Sequence, residues 1–339
     1  MKDIALYPLR FQPIYEYRLW GGRRLGQLLS AALPGDGPIG EAWVLSDRDE
    51  HPSIVATGAL AGSSLRQLLQ RSPERLLGSL SGRFERFPLL LKFLDVSDSL
   101  SVQVHPSDAH PELLPGADSG KDEAWVVIGQ GPQARIYAGL QPTASEPVLR
   151  QAIASGSVPQ QLASFAPHSG DSVFIPAGTV HALRDVVVFE LQQNSDVTFR
   201  LYDWNHVDPR TGKARPLQVE QAMACIDFGQ GAVGPGTPVT QESRPVLREV
   251  LVASDHFDVT RISGQVAFDV GAADAPRVIV GLSGTLRLQH GGVDYPLARG
   301  DVLLLPAELG ACSCRPDAAA SVLEIALPHA APASERVAT

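Results

Sequence analysis

Gly170-Asp-Ser-Val-Phe-Ile-Pro-Ala-Gly-Thr-Val-His181-Ala and Gly300-Asp-Val-Leu-Leu-Leu-Pro-Ala-Glu-Leu-Gly-Ala311-Cys match in order and spacing across 130 residues of chain. Each reads as a Gly-Asp turn, a short apolar strand and a Pro-Ala turn. A Gly-Asp turn before a strand is a common hairpin, but agreement over the whole stretch points to an internal duplication. The copies differ where chemistry would lie: His181 in the first, Ala311 in the second. Outside these copies the chain reads as many short strands at close spacing with few helices, which predicts β-barrel or jelly-roll domains.

The first copy asks for partners to its histidine, and Leu100-Ser-Val-Gln-Val-His-Pro106 offers them. Side chains alternate along a strand, so Ser101, Gln103 and His105 share one face and Val102 and Val104 the other. A polar face backed by valines is either a solvated surface or a place where an imidazole and an amide oxygen converge on a metal ion. Lys121 and Glu123 share a face of a further strand. Lys92 sits amid Leu90, Leu91, Phe93 and Leu94, where a cation is costly unless paired. Asp196, Thr198 and Arg200 would share a face of a strand over Val197 to Asp203. Lysine occurs only at positions 2, 92, 121 and 213, so two of four lie among these residues.

The 339 residues suggest two domains, and 44% apolar with 19% charged residues describe a globular protein with ample core. Three cysteines, Cys225, Cys312 and Cys314, are too few for a disulfide framework and fit a reducing, cytoplasmic setting. Met1 to Leu9 shows no apolar run behind a basic segment, and no stretch is long enough to span a bilayer. A net charge of −9 argues against nucleic acid or membrane partners.

Helices are predicted over Arg24 to Ala31, from a Ser63 cap to Arg71, from Pro73, over Ser145 to Ser155 with Gly156 closing it, and over Gln218 to Cys225. Strands are predicted over Glu41 to Ser46, Ser53 to Thr57, Leu89 to Val96, Lys121 to Ile128, Arg135 to Gly139 and Val186 to Gln192. The Gly- and Pro-rich stretch 229–245 reads as a linker and the tail after residue 328 as disordered. The expected organisation is a metal-binding domain over 1–228 with helical insertions, the linker, and a second domain over 246–328 that keeps the scaffold without the ligands.

Gly-Asp-x-x-x-x-Pro-Ala-Gly-x-x-His resembles the second cupin motif. Together with Pro88-Leu-Leu-Leu-Lys-Phe-Leu-Asp95, the Gln-x-His segment, Gly120-Lys-Asp-Glu-Ala-Trp125, Ser195-Asp-Val-Thr-Phe-Arg-Leu-Tyr-Asp203, Leu-Trp-Gly-Gly22 and Gly40-Glu-Ala-Trp43, it resembles type I phosphomannose isomerase of the compact bacterial branch. The resemblance implies two cupin barrels and one divalent ion, Zn2+ in the family, on Gln103, His105, Glu123 and His181. Two imidazoles and a carboxylate would equally suit iron. It implies Lys92 and Ser101 toward a sugar phosphate, Lys121, Asp196 and Arg200 near the reacting carbons, and Trp20 and Glu41 lining the pocket.

The implied reaction interconverts mannose 6-phosphate and fructose 6-phosphate through an enediol, with the proton carrier, Lys121 or a metal-bound water, left open. Glucose 6-phosphate isomerisation by a related cupin, a non-catalytic sugar-binding cupin and an iron-dependent cupin oxygenase are the alternatives. Two positions depart from the family: Gly120 and Leu183 stand where some members carry histidine and tyrosine. Because both histidines must be neutral to bind metal, affinity is expected to fall below pH of about 6 to 6.5.

Overall fold

The computed structural model describes residues 5–116 and 118–327, and the chain is mainly β. The first nine strands are β1 (Ile14–Gly22), β2 (Ile39–Leu45), β3 (Leu89–Ser99), β4 (Val102–Val104), β5 (Glu123–Leu140), β6 (Leu162–Phe165), β7 (Ser172–Ile175), β8 (His181–Gln193) and β9 (Phe199–Tyr202). They form one sheet in the order β1-β2-β3-β8-β4-β9, with β5 also paired to β8 and carrying β6 and β7. The predicted strands from 121 and 135 are thus one continuous strand.

Period-two alternation sorts the residues of this sheet into two cores. Leu91 and Phe93 of β3, Ala124 and Val126 of β5, and Phe189 and Leu191 of β8 belong to one apolar cluster. Their neighbours Leu94 and Val96, Trp125 and Val127, and Val186 and Val188 belong to another, which includes Trp20. Lys92, Glu123 and Glu190 have the parity of the second set. The charged groups therefore sit on the face that holds this inner cluster.

The later strands form a six-stranded sheet, ordered 239–242, 247–253, 258–264, 320–326, 277–283 and 302–305, and a four-stranded one, ordered 268–270, 312–316, 285–290 and 293–298. Val259, Ile262, Ile279 and Leu304 share the apolar cluster of Phe93 and Phe189, so the outer face of the first sheet packs on the second half. Leu9 exchanges backbone hydrogen bonds with Leu304, Arg299 donates to the Ile128 carbonyl and Arg261 to that of Gly170.

The repeated stretches adopt one local structure. Gly170 (φ 93°) and Gly300 (φ 86°) both occupy the left-handed region that favours glycine. Asp171 Oδ2 accepts from the backbone N–H of His168, and Asp301 Oδ2 from that of Ala298, each three residues back. Strands Ser172–Ile175 and Val302–Leu305 follow, and the next strands open at His181 and Cys312.

The helices are α1 (Arg24–Leu28), α2 (Leu65–Arg71), α3 (Pro73–Leu77), α4 (Glu146–Ser155) and α5 (Val219–Cys225). α2 is capped by Ser64 rather than Ser63, because Ser64 and Gln67 form the reciprocal capping box. Gly156 closes α4 in the left-handed conformation, as its sequence predicts. Ser53 to Thr57 makes only isolated bridges. The Gly- and Pro-rich stretch is not wholly a linker: Val239–Glu242 pairs as an edge strand with Leu247–Ala253, and Ala232 bridges to Gly139. The expected disordered tail lies outside the described residues.

Candidate metal centre and pocket

His105 and Glu123 flank β4 and open β5, and His181 opens β8 directly opposite Gln103. All three are buried, and one ligand atom from each lies within 4.8 Å of the others. The rings are fixed from behind: His105 Nδ1 donates to the Val197 carbonyl (2.8 Å) and His181 Nδ1 to that of Thr179 (2.9 Å). A carbonyl only accepts, so each Nδ1 carries the proton and each Nε2 is a lone pair. Those lone pairs face the Glu123 carboxylate at 3.4 Å (His105) and 3.2 Å (His181).

Acceptors brought together in a dry place repel unless a cation lies between them. His105 Nε2 has no hydrogen-bond donor among the described residues, and the Glu123 carboxylate has beside it only the Lys121 ammonium, on Oε2. The donor set therefore fits a divalent cation. Gln103 stands beside it, its amide 3.2 Å from His181 Nε2. Turning that amide about its last bond presents Oε1 instead and lets the NH2 donate to Ser101 Oγ.

Electrostatics prepare the ligands for binding. Burial drives the His105 pKa down to about 3, aided by Lys121, and burial likewise lowers His181. Burial opposes ionisation of Glu123, but Lys121 and the two histidines outweigh it and hold its pKa well below the carboxylate range. Lys121 Nζ lies 3.1 Å from Glu123 Oε2. Burial disfavours its charge, yet Glu123, Glu190 and Asp196 keep its pKa above the ordinary lysine value. The expectation that metal affinity falls below pH of about 6 is thus revised, since the folded site keeps its imidazoles neutral to lower pH.

Beside the metal centre opens a cavity of about 460 Å³ lined by Arg18, Trp20, Glu41, Lys92, Ser101, Gln103, Lys121, Glu190, Asp196 and Arg200, among others. Every other residue proposed from the sequence for catalysis or substrate binding lines it, but their pairings differ from expectation. Lys92, 4% exposed, is held by Glu41 (3.9 Å), Glu190 (3.8 Å) and Asp196 (3.7 Å), with the Trp43 ring 4.5 Å from Nζ. Asp196 therefore pairs with Lys92 and does not brace Arg200. The strand begins only at Phe199, so alternation does not carry back to residue 196. Arg200 Nη1 donates to the Pro216 carbonyl (2.9 Å), while its buried Nε has no partner among the described residues.

Glu41 is a fastener: its carboxylate takes the Arg18 fork (2.9 and 3.1 Å) and Trp43 Nε1 (2.7 Å). Burial opposes its charge, but Lys92 and Arg18 bring its pKa to about 2. Trp20 is 1% exposed and forms a wall of the cavity within the inner apolar cluster. A side chain at position 120 has no room, since a Cβ there would meet the backbone of Ser107 and Asp108. Leu183 is buried in the inner apolar cluster.

One residue escaped the sequence reading. Glu190 is buried, lines the cavity, and accepts from Trp125 Nε1 (2.9 Å). Burial, then repulsion from Glu123, raises its pKa to about 6 against the pull of Lys121 and Lys92. Its one sequence signal is a lone carboxylate inside Val186-Val-Val-Phe-Glu190-Leu.

Residues 9–123 match the family pattern described as phosphomannose isomerase type I, catalytic domain. The chain is 35% identical over 303 residues to a mannose-6-phosphate isomerase of Streptococcus mutans, covering 88% of this chain and 92% of the relative. It is 32% identical over 312 residues to one from Bacillus subtilis, covering 89% and 94%. The chain belongs to the type I phosphomannose isomerase family. In structure it is similar to the crystallised mannose 6-phosphate isomerase of Bacillus subtilis, with a TM-score of 0.85 at 27% identity over 94% of this chain and 99% of that one. Members of this family depend on a metal, and His105, Glu123 and His181 form a cluster that could hold one. Among the described residues no helix is long and apolar enough to cross a membrane.

Proposed function

We infer that the chain is a divalent-metal-dependent aldose–ketose isomerase that interconverts mannose 6-phosphate and fructose 6-phosphate. The observation that carries the reading is the confrontation of the His105 and His181 lone pairs with the Glu123 carboxylate beside a cavity lined by both acids and cations. The ligands are Gln103, His105, Glu123 and His181, a nitrogen and oxygen set that suits Zn2+. A cation bound there supplies positive charge that polarises the sugar oxygens.

The residues of the chain do the rest. Isomerisation removes the proton from C2 of the open-chain aldose as the C1 carbonyl becomes an enediolate. It then returns a proton to C1 as the C2 hydroxyl gives up its proton to become the ketone and the C1 oxygen takes one up as a hydroxyl. Glu190, with a pKa of about 6, is ionised at neutral pH and basic enough to take and return that proton. Lys121 is held protonated by its carboxylate neighbours and so serves as a fixed positive charge for the developing oxyanion. Arg200, which lines the cavity, adds a second cation for that charge. Ser101 and Lys92 provide donors for the phosphate, and Asp196 at the rim, half exposed, orients Lys92. Trp20 and the inner apolar cluster keep the reacting end dry.

The reading extends to architecture. Two cupin barrels, 1–228 with helical insertions and 246–328 without ligands, follow from the shared Gly-Asp turn and the alanine at position 311. The substrate is a small sugar phosphate. The test is a coupled assay for fructose 6-phosphate formation from mannose 6-phosphate, run alongside metal analysis of the purified protein. Stoichiometric metal with turnover is expected. Binding of the sugar phosphate without isomerisation under any divalent ion would replace this reading with that of a sugar-binding module.

A further inference from the structure

Lys121 lines the cavity and Glu123 the metal centre, while Asp122 between them turns its side chain to the other side of the chain. There Asp122 Oδ1 accepts from the Ala177 N–H (2.8 Å), in the turn that leads to Thr179 and His181. Its backbone N–H donates to Gln193 Oε1 (2.9 Å), and its carbonyl accepts from Gln193 N (3.1 Å). Gln193 Nε2 donates to Asp108 Oδ2 (2.8 Å), and Asp108 Oδ1 accepts from the Gly120 N–H (2.6 Å). Two carboxylates thus tie together the chain after His105, the residue before Lys121, the turn before His181 and the end of β8.

Those carboxylates repel one another, and the second half of the molecule places an imidazole between them. His256 Nε2 lies 3.8 Å from Asp108 Oδ2 and 3.7 Å from Asp122 Oδ2. It sits in a turn whose backbone N–H groups at His256 and Phe257 both donate to Ser254 Oγ. Phe257 is fully buried and meets the Phe174 ring edge-on at 6.1 Å, so the turn is anchored on the first sheet. His256 lines a groove of about 920 Å³ that adjoins the catalytic cavity at Asp196, and it is absent from the lining of that cavity. Its contacts toward the metal centre run through Asp108 and Asp122.

We propose that His256 is a positioning residue: the second half places its imidazole against Asp108 and Asp122, and that contact sets Lys121 and Glu123 in register with His105 and His181. A clamp at this position gives the second barrel a part in catalysis although it holds no ligand. The inference rests on the isomerase reading, and the experiment separates the two. In the full-length protein, His256→Ala should lower kcat about three- to tenfold, the range of two weak polar contacts acting on one geometry. KM for mannose 6-phosphate, metal stoichiometry and melting temperature should stay near wild type. His256→Lys, which restores a donor to both carboxylates, should recover most of the loss. An unchanged kcat in His256→Ala would overturn the proposal. So would a loss of kcat that tracks lost metal or a lowered melting temperature, or no recovery in His256→Lys. An inactive wild type would overturn the isomerase reading instead.

Discussion

Replacing Glu190 by glutamine keeps the size of the side chain and an oxygen to accept from Trp125, and removes the base together with the negative charge that faces Lys92 and Lys121. If Glu190 carries the proton between C1 and C2, turnover should fall by about 10²- to 10⁴-fold, the ordinary contribution of a positioned general base. The same substitution should stabilise the fold. Raising the pKa from 4.5 to about 6 means that the ionised carboxylate is disfavoured in the folded state by roughly 2 kcal/mol. A folded-state pKa above the unfolded value gives stability that is full below about pH 4.5 and is lost as pH rises through about 6. At pH 7.5 wild type therefore bears the whole penalty and Glu190→Gln does not.

A cation at Glu123 would cancel part of the repulsion on Glu190, so thermal melts are best compared on chelator-treated protein, where the variant should melt a few degrees higher. Activity is read in the coupled fructose 6-phosphate assay with metal content matched. Wild-type kcat/KM should fall below about pH 6, because the base must be ionised. A variant with full metal whose kcat stays within about threefold of wild type would refute the assignment. Loss of activity together with lowered stability would show that the carboxylate is structural.

The other expectations are as follows. His181→Ala should lose stoichiometric metal and turnover, whereas substitutions beside Ala311 should alter stability alone; metal retained in His181→Ala would falsify the ligand set. His105 and His181 have lowered pKa values, so the stability they contribute is present above the unfolded value of about 6.5 and is lost as pH falls below it. Metal release on acidification should therefore coincide with loss of near-ultraviolet circular dichroism, and release near pH 6 from an intact fold would contradict the buried-ligand argument. Arg200→Ala should keep its metal and its affinity for mannose 6-phosphate while losing about 10²- to 10³-fold in kcat. Lys92→Ala should weaken inhibition by inorganic phosphate about 10- to 150-fold, and unchanged inhibition in a folded variant would leave Lys92 as a partner of Glu41, Glu190 and Asp196 alone.

Much of this was legible in the chain because it is local. The Gly-Asp turn, the apolar strand and the Pro-Ala turn repeat in the fold as they do in the sequence, since each is fixed by a left-handed glycine and an aspartate bonded three residues back. His105 meets Glu123 and His181 at one centre, and Gln103, two residues earlier, stands beside it. Alternation failed where it was extended past the strand that supports it: Asp196 precedes β9 and turned to Lys92. The linker reading failed because Gly and Pro content says nothing about whether a later segment such as Leu247–Ala253 offers an open edge to pair with.

The sequence alone determined the mainly β scaffold and the kinds of residue gathered at the centre, because turn chemistry and strand period act over a few residues. Only the tertiary structure decided that His105, Glu123 and His181 meet lone pair to lone pair. It also decided that Lys121 stays charged while the Glu190 pKa rises, and that His256 faces Asp108 and Asp122. Those properties come from desolvation and from distances between segments tens to more than a hundred residues apart. Such distances exist only once the sheet has folded and packed on its second half.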